Sequence, residues 1–283
     1  MSQQEVILAL PESIIVQLAT LPQQDRLTIQ RCRGQHNRLG FAYQLMFAKV
    51  FNRFPNQVPL EIQSQILTFA VLQLGIKTEL IDAYQKRQQT ISEHQQQIRI
   101  YLNLANFDKD TMAQVMDFLF IEAQRIEHIS ILLAKTEQFL KEQNILQPAR
   151  DTLERLIITQ RQKARQFIYD KMLNHLTEIQ CIALDNLLKV DENRLSLLQQ
   201  LKQPPSQPSP KALIALTKKL ELVETIGIAK IDTHWLNNNY QRTLTKYVMG
   251  YSAKRLRDLQ PSYRYTAGNP PILSDAKSRG LSN

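Results

Sequence analysis

Apolar residues recur at three- and four-residue spacing along nearly the whole chain, the period of amphipathic helices and not of strands. Leu39, Ala42, Tyr43, Met46 and Val50 trace one stripe, and Ile62, Ile66, Phe69, Ala70 and Leu74 trace a second. Gly75 is placed to stop that second helix, and Thr78 to cap the next, which carries Ile81 and Tyr84. Thr111 opens a longer pattern through Phe118, Ile121, Ala123, Ile126, Ile129, Leu133 and Phe139, expected as one or two helices ending near Asn144. After Pro148, Asp151 or Thr152 is expected to cap a helix with Leu153, Leu156, Ile157, Ala164 and Ile168 inward. The run from Pro204 to Pro210 cannot be helical and reads as a stiff exposed loop, with Ser209-Pro210 as N-cap and first position of the following helix.

These patterns predict an all-α protein of two tandem helical domains, residues 1–146 and 147–267, and no fixed-period repeat. Residues 268–283 are polar and aperiodic, and are expected to form a disordered tail. Composition agrees. Only 7 glycines in 283 residues argue against a Rossmann sheet or a barrel with many tight turns. Two cysteines cannot staple a small secreted fold. No apolar run approaches the ~18 residues that span a bilayer, and the N-terminus lacks the basic and small-residue features of a signal peptide. A cytoplasmic protein is expected.

Charge changes the picture more. Lys and Arg number 35 against 26 Asp and Glu, a net +9, so the chain attracts polyanions. Nucleic acid is the first reading; the alternative is a non-catalytic helical interaction protein on an acidic protein or anionic membrane surface. The cations cluster three times: Arg31, Arg33, Arg38, Lys49 and Arg53; then Arg150, Arg155, Arg161, Lys163, Arg165 and Lys171; then Arg242, Lys246, Lys254, Arg255, Arg257 and Arg264. In the third, a short helix at Leu244–Met249, a turn at Gly250 and a helix capped by Ser252 have helix-turn-helix spacing, with Lys254, Arg255 and Arg257 on the second helix. A two-helix corner with a solvated basic face has the same spacing.

Catalytic constellations do not assemble. Cys32 and His36 are four apart on an expected helix, but zinc needs further ligands, so Cys32 reads as a packed thiol. Glu93-His94 and Glu127-His128 make no metal motif, and His128 reads as a helical residue at a core edge. Trp235 reads as a core anchor. No metal ligand set, cofactor or catalytic residue is assigned.

The stretch Arg33-Gly-Gln-His-Asn-Arg-Leu-Gly-Phe-Ala-Tyr-Gln-Leu45 resembles the N-terminal signature of the Tn-three family of replicative transposases. Further blocks follow in order: Tyr84-x-x-Arg87-x-x-Thr90-x-x-Glu93-His94 with Ile98-Arg99, Ile145-Leu146-x-Pro148 with Leu153-x-Arg155-Leu156 and Arg161-x-x-Ala164, Arg194 to Leu198, and Leu259-x-Pro261-x-x-Arg264-x-x-Ala267. The resemblance implies helical DNA-binding domains that grip the terminal inverted repeat of a transposon. It implies DNA contact by Arg33, His36, Asn37 and Arg38, by Arg87, Thr90, His94 and Arg99, by Arg155 and Arg161, and by Lys254, Arg255, Arg257 and Arg264. Gly34 and Gly40 are expected to serve backbone geometry. Family members are several times longer and carry their catalytic carboxylates beyond the matched region, so the chain reads as a truncated, non-enzymatic remnant. Its implied partners are double-stranded DNA and an intact transposase, not a membrane, and its implied location is the bacterial cytoplasm, on the nucleoid.

Overall fold

The computed structural model describes residues 11–190, 196–203, 207, 209–227 and 234–268. Among them are fifteen α-helices and, beyond isolated bridges, no strand. The fold is all-α. The tail from residue 269 onward lies outside the described residues, as do Arg194, Leu195 and most of the Pro/Ser run. Two compact units are present. One lies within Met1–Val115 and Lys135–Thr152, the other within Met116–Ala134 and Leu153–Asn283.

The first unit is built around α3 (Gln35–Phe51), in which ten consecutive residues, Leu39–Ala48, are buried. A helix buried on every side needs apolar or small residues all round, not one stripe. Phe41, Leu45 and Phe47 fill the faces that the Leu39–Val50 stripe leaves uncovered. Around it pack α1 (Glu12–Ala19), α2 (Gln23–Gln30), α4 (Ser64–Leu74), α5 (Leu80–Gln85) and α6 (Gln88–Tyr101). Gly75 ends α4 in the left-handed region, φ 64°, as its position predicts. Thr78 is not a cap: α5 begins after Glu79 with no side-chain cap bond, and Thr78 contributes only its carbonyl, to the Ile81 N–H. The segment after residue 134 returns to this unit. Leu146 N–H bonds the Ala105 carbonyl, and the buried Asn52 side chain donates to the Ile145 carbonyl at 2.8 Å.

The long pattern after Thr111 resolves into two helices, α7 (Lys109–Ala123) and α8 (Ile129–Glu142). Asp108 starts α7, its Oδ1 accepting from Asp110 and Thr111 N–H at 3.1 Å while Thr111 Oγ1 accepts from Asp108 N–H. The next helix, α9 (Arg150–Asn174), starts one residue before Asp151, so neither Asp151 nor Thr152 is its cap. Leu153, Ile157, Gln160, Ala164, Ile168 and Met172 form its buried face.

The end of that face joins the core of the second unit. There it meets side chains from α10 (Glu178–Leu187), α11 (Leu197–Lys202), α12 (Pro210–Ile226), α13 (Asn238–Gly250), α14 (Ala253–Arg257) and α15 (Pro261–Gly268). Polar caps set these starts. Thr177 with Gln180 and Ser196 with Gln199 form reciprocal capping boxes. Ser209 caps α12 with Pro210 in its first turn, and Ser252 caps α14, both as expected from the sequence.

Candidate nucleic-acid interface

In the first unit three cations of the first basic cluster, Arg38, Lys49 and Arg53, are bonded within the fold. Arg38 sends its guanidinium back to the carbonyls of Cys32, at 3.1 Å, and Gln30, at 3.3 Å, closing the turn from α2 into α3. Lys49 pairs with Asp25, a carboxylate 2% exposed that also accepts from Tyr101 Oη at 2.7 Å. Arg53 grips both Glu61 oxygens at 2.7 Å and lies 5.0 Å over the Phe47 ring. That guanidinium, before any other group, holds the Glu61 carboxyl below its ordinary range. Arg31 and Arg33 remain as exposed cations at the turn.

The rest of the signature is similarly local. Gly34 precedes α3 at φ 88°, a conformation that favours glycine. Asn37 Nδ2 donates to the Arg33 carbonyl at 2.9 Å, and both Asn37 Oδ1 and His36 Nε2 are buried without a hydrogen-bond partner. Cys32 sits in the turn ahead of α3, so Cys32 and His36 do not share a helix; the thiol packs on the core and burial pushes its pKa up. Gly40 is in regular helix, and its role differs from the backbone one expected. A Cβ there would lie 2.3 Å from the Tyr84 ring, so its missing side chain is what lets that ring dock.

Tyr84 leads to the second block. Gln44 Nε2 donates to Tyr84 Oη, which bonds His94 Nδ1 at 2.9 Å. The Tyr84 hydroxyl thus bridges the Gln44 amide and the His94 imidazole in the core. Burial lowers the His94 pKa to about 4. Its ring is 6% exposed, packed between Phe41 and Tyr84, a core position facing away from any ligand in solution. Arg87, the residue ahead of α6, is exposed, and Thr90 and Arg99 on that helix are half-buried.

In the second unit, Glu127 sits in the break ahead of α8. It is 9% exposed and accepts from Arg161 at 3.2 Å and from Arg165, so two of the middle cluster's cations neutralise one internal carboxylate. His128, next to it, is exposed and outside the helix, not a core-edge helical residue. Arg155 and Lys163 are exposed on α9. Lys171 Nζ stands 4.4 Å over Trp235, a half-buried ring at the core's edge.

The third cluster is arranged differently. Tyr251 and Ser252 alone separate α13 from α14, and Ser252 Oγ accepts the Arg255 N–H at 3.1 Å. Ala253 and Leu256 are buried, which turns Lys254, Arg255 and Arg257 outward; Arg242 and Lys246, one turn apart on α13, are exposed too. The first helix is longer than its expected 244–249 span, and the second is a single short turn of five residues. Among the described residues no carboxylate lies within ion-pair distance of these five cations. Arg264 is the exception within the cluster. Its Nε lies 3.2 Å from Asp185 Oδ1 and its NH1 donates to the Arg257 carbonyl at 3.2 Å. Sequence gave no signal for Lys202, whose Nζ donates to the Val248 and Tyr251 carbonyls at the end of α13 and whose pKa burial lowers.

Comparison with known proteins bears on this surface. Residues 2–160 match a family described as a domain of unknown function, DUF4158. The transposase for transposon Tn1546 of Enterococcus faecium is 24% identical over 269 residues, covering 93% of this chain and 27% of that protein. The transposase for transposon Tn2501 of Escherichia coli is 25% identical over 265 residues, with the same shares covered. The transposase for transposon gamma-delta of Escherichia coli (strain K12) is 27% identical over 246 residues, 84% of this chain and 24% of that protein. The chain spans about a quarter of the length of these relatives.

Proposed function

The chain belongs to the DUF4158 family and is related to transposases along most of its length, and from that premise we propose that it binds DNA in transposition, with a transposon's terminal inverted repeat as its ligand. The observation that carries this reading is the set of unspent cations at the α13–α14 corner. Among the described residues Arg242, Lys246, Lys254, Arg255 and Arg257 meet no carboxylate at ion-pair distance, whereas Lys49, Arg53, Arg161 and Arg165 are spent on internal carboxylates. Phosphate contacts by such cations supply affinity through counterion release, and base-edge contacts add specificity. Arg33 and Arg87, exposed in the first unit, are the further phosphate contacts we assign. His94 we assign to packing.

The region contributes recognition and not strand cleavage. On that reading it occupies transposon ends without cutting them, and competes there with an intact transposase. No helix among the described residues is long and apolar enough to cross a membrane.

A salt titration of binding to a duplex carrying a terminal inverted repeat tests the proposal. Engaging six or more phosphates lowers affinity about 10³-fold or more between 50 and 200 mM salt. Binding that barely responds to salt, or none at low salt, overturns it. Titrating the protein into an end-cleavage reaction run by an intact transposase with Mg²⁺ tests the second part. Competition without cleavage is expected, and cleavage by this chain alone refutes it.

A further inference from the structure

A helix of five residues does not hold itself together, because one turn repays little of its nucleation cost. Yet α14 carries three of the five cations of the α13–α14 corner assigned above to DNA. Its geometry must come from outside, and both of its ends are tied to the body of the second unit. Ahead of it, Lys202 at the end of α11 takes the Val248 and Tyr251 carbonyls, fixing the end of α13 and the two-residue turn that leads to the Ser252 cap. Behind it, Arg264 takes the Arg257 carbonyl. Arg264 is in turn fixed by Asp185 on α10, 3.2 Å from its Nε, and Asp185 accepts from Tyr265 Oη at 2.8 Å. The side chain of Arg264 is 18% exposed, so it is turned into this network and not outward like Lys254.

We infer that Asp185, acting through Arg264, and Lys202, acting through the α13 carbonyls, are positioning residues that hold Lys254, Arg255 and Arg257 in register for DNA phosphates. This inference rests on the DNA-binding reading of the corner. It reverses the direction in which an acidic residue ordinarily acts. Removing a carboxylate beside a DNA-binding surface relieves repulsion and tightens binding, whereas removing Asp185 frees α14 and weakens it.

The test measures binding of the full chain to a terminal-repeat duplex and to a random duplex of equal length, at a temperature where far-UV circular dichroism shows every variant folded. Asp185→Asn is expected to weaken binding by a few-fold, the scale of one half-exposed ion pair lost. Lys202→Met is expected to act in the same direction. In a background with Lys254, Arg255 and Arg257 replaced by Ala, Asp185→Asn loses its effect, because the residues it positions are gone. Tighter or unchanged binding by Asp185→Asn, or an effect that adds in full to the triple replacement, overturns the inference. If the triple replacement itself binds like the parent, the DNA reading of the corner falls and takes this inference with it. If the triple replacement weakens binding and Asp185→Asn does not, only the inference falls.

Discussion

Two glycine-to-alanine substitutions should move stability in opposite directions, although both glycines lie in helices. At Gly40 an added Cβ would sit 2.3 Å from Cδ1 and Cε1 of Tyr84 and 2.4 Å from Cγ. Carbon contacts settle near 3.5–4.0 Å, so the ring must retreat by about 1 Å or more. It has nowhere to go: Tyr84 is fully buried, stacked on His94, with its hydroxyl held by Gln44 and His94. Overpacking costs about 1–3 kcal/mol, and disrupting the buried hydroxyl chain about 1–3 kcal/mol more. Against this stands a helix-propensity gain of about 1 kcal/mol for alanine over glycine. The net is a loss of about 1–5 kcal/mol, or a melting temperature lower by on the order of 10 °C. At Gly250 nothing lies within 4 Å of the added Cβ and the backbone is outside the left-handed region. Alanine there should be neutral to stabilising, by up to about 1 kcal/mol. Thermal and urea melts of the two variants decide the matter. A Gly40→Ala protein as stable as the parent would show that the close approach of α3 to Tyr84 is not a feature of the fold.

Three further outcomes follow from the same structure. His94, held near a pKa of about 4 by burial against about 6.5 when unfolded, contributes stability that is full above about 6.5 and lost as pH falls toward about 4; His94→Phe should flatten urea stability across that window, and an unchanged slope would remove the buried-neutral assignment. Arg255→Ala should weaken binding to specific and random DNA alike and lower the slope of log affinity on log salt by about 0.9, while Arg53→Ala should leave that slope alone and lower the melting temperature, since its partner is Glu61. Asn37→Ala tests a base-reading role against the local bond to Arg33: the local role predicts lost stability of about 1 kcal/mol with specific and random DNA affected equally, and a selective loss on the specific site would restore Asn37 as a reader.

What the sequence makes legible is short-range. Gly75, Ser209-Pro210 and Ser252 were readable because their conformations are set by neighbours within four residues. The helical class was readable because the apolar period is local as well. Charge was visible, but whether a cation is free was not: Lys49 meets Asp25 across 24 positions, and Arg161 meets Glu127 across 34. Only the fold tells these apart from Lys254 and Arg255. His94 lay in a block with basic neighbours, and Tyr84, 10 residues away and itself bonded to Gln44, makes it a core residue. Lys202 carried no pattern at all, because its function is defined by two carbonyls far along the chain.

The interrupted path of the first unit has a consequence for synthesis. Chains emerge N-terminus first at about 5–20 residues per second. Residues Met116–Ala134 of the other unit are therefore made before Lys135–Thr152 can return to close the first. Until then Asn52 has no Ile145 carbonyl to bond, and Ala105 lacks its partners in Asn144 and Leu146. A nascent chain at that stage carries a nearly finished helical cluster with one side unsealed. Any shortened version cut after Val115 preserves that condition permanently, and is expected to be recognised by chaperones and proteases as an unfinished protein.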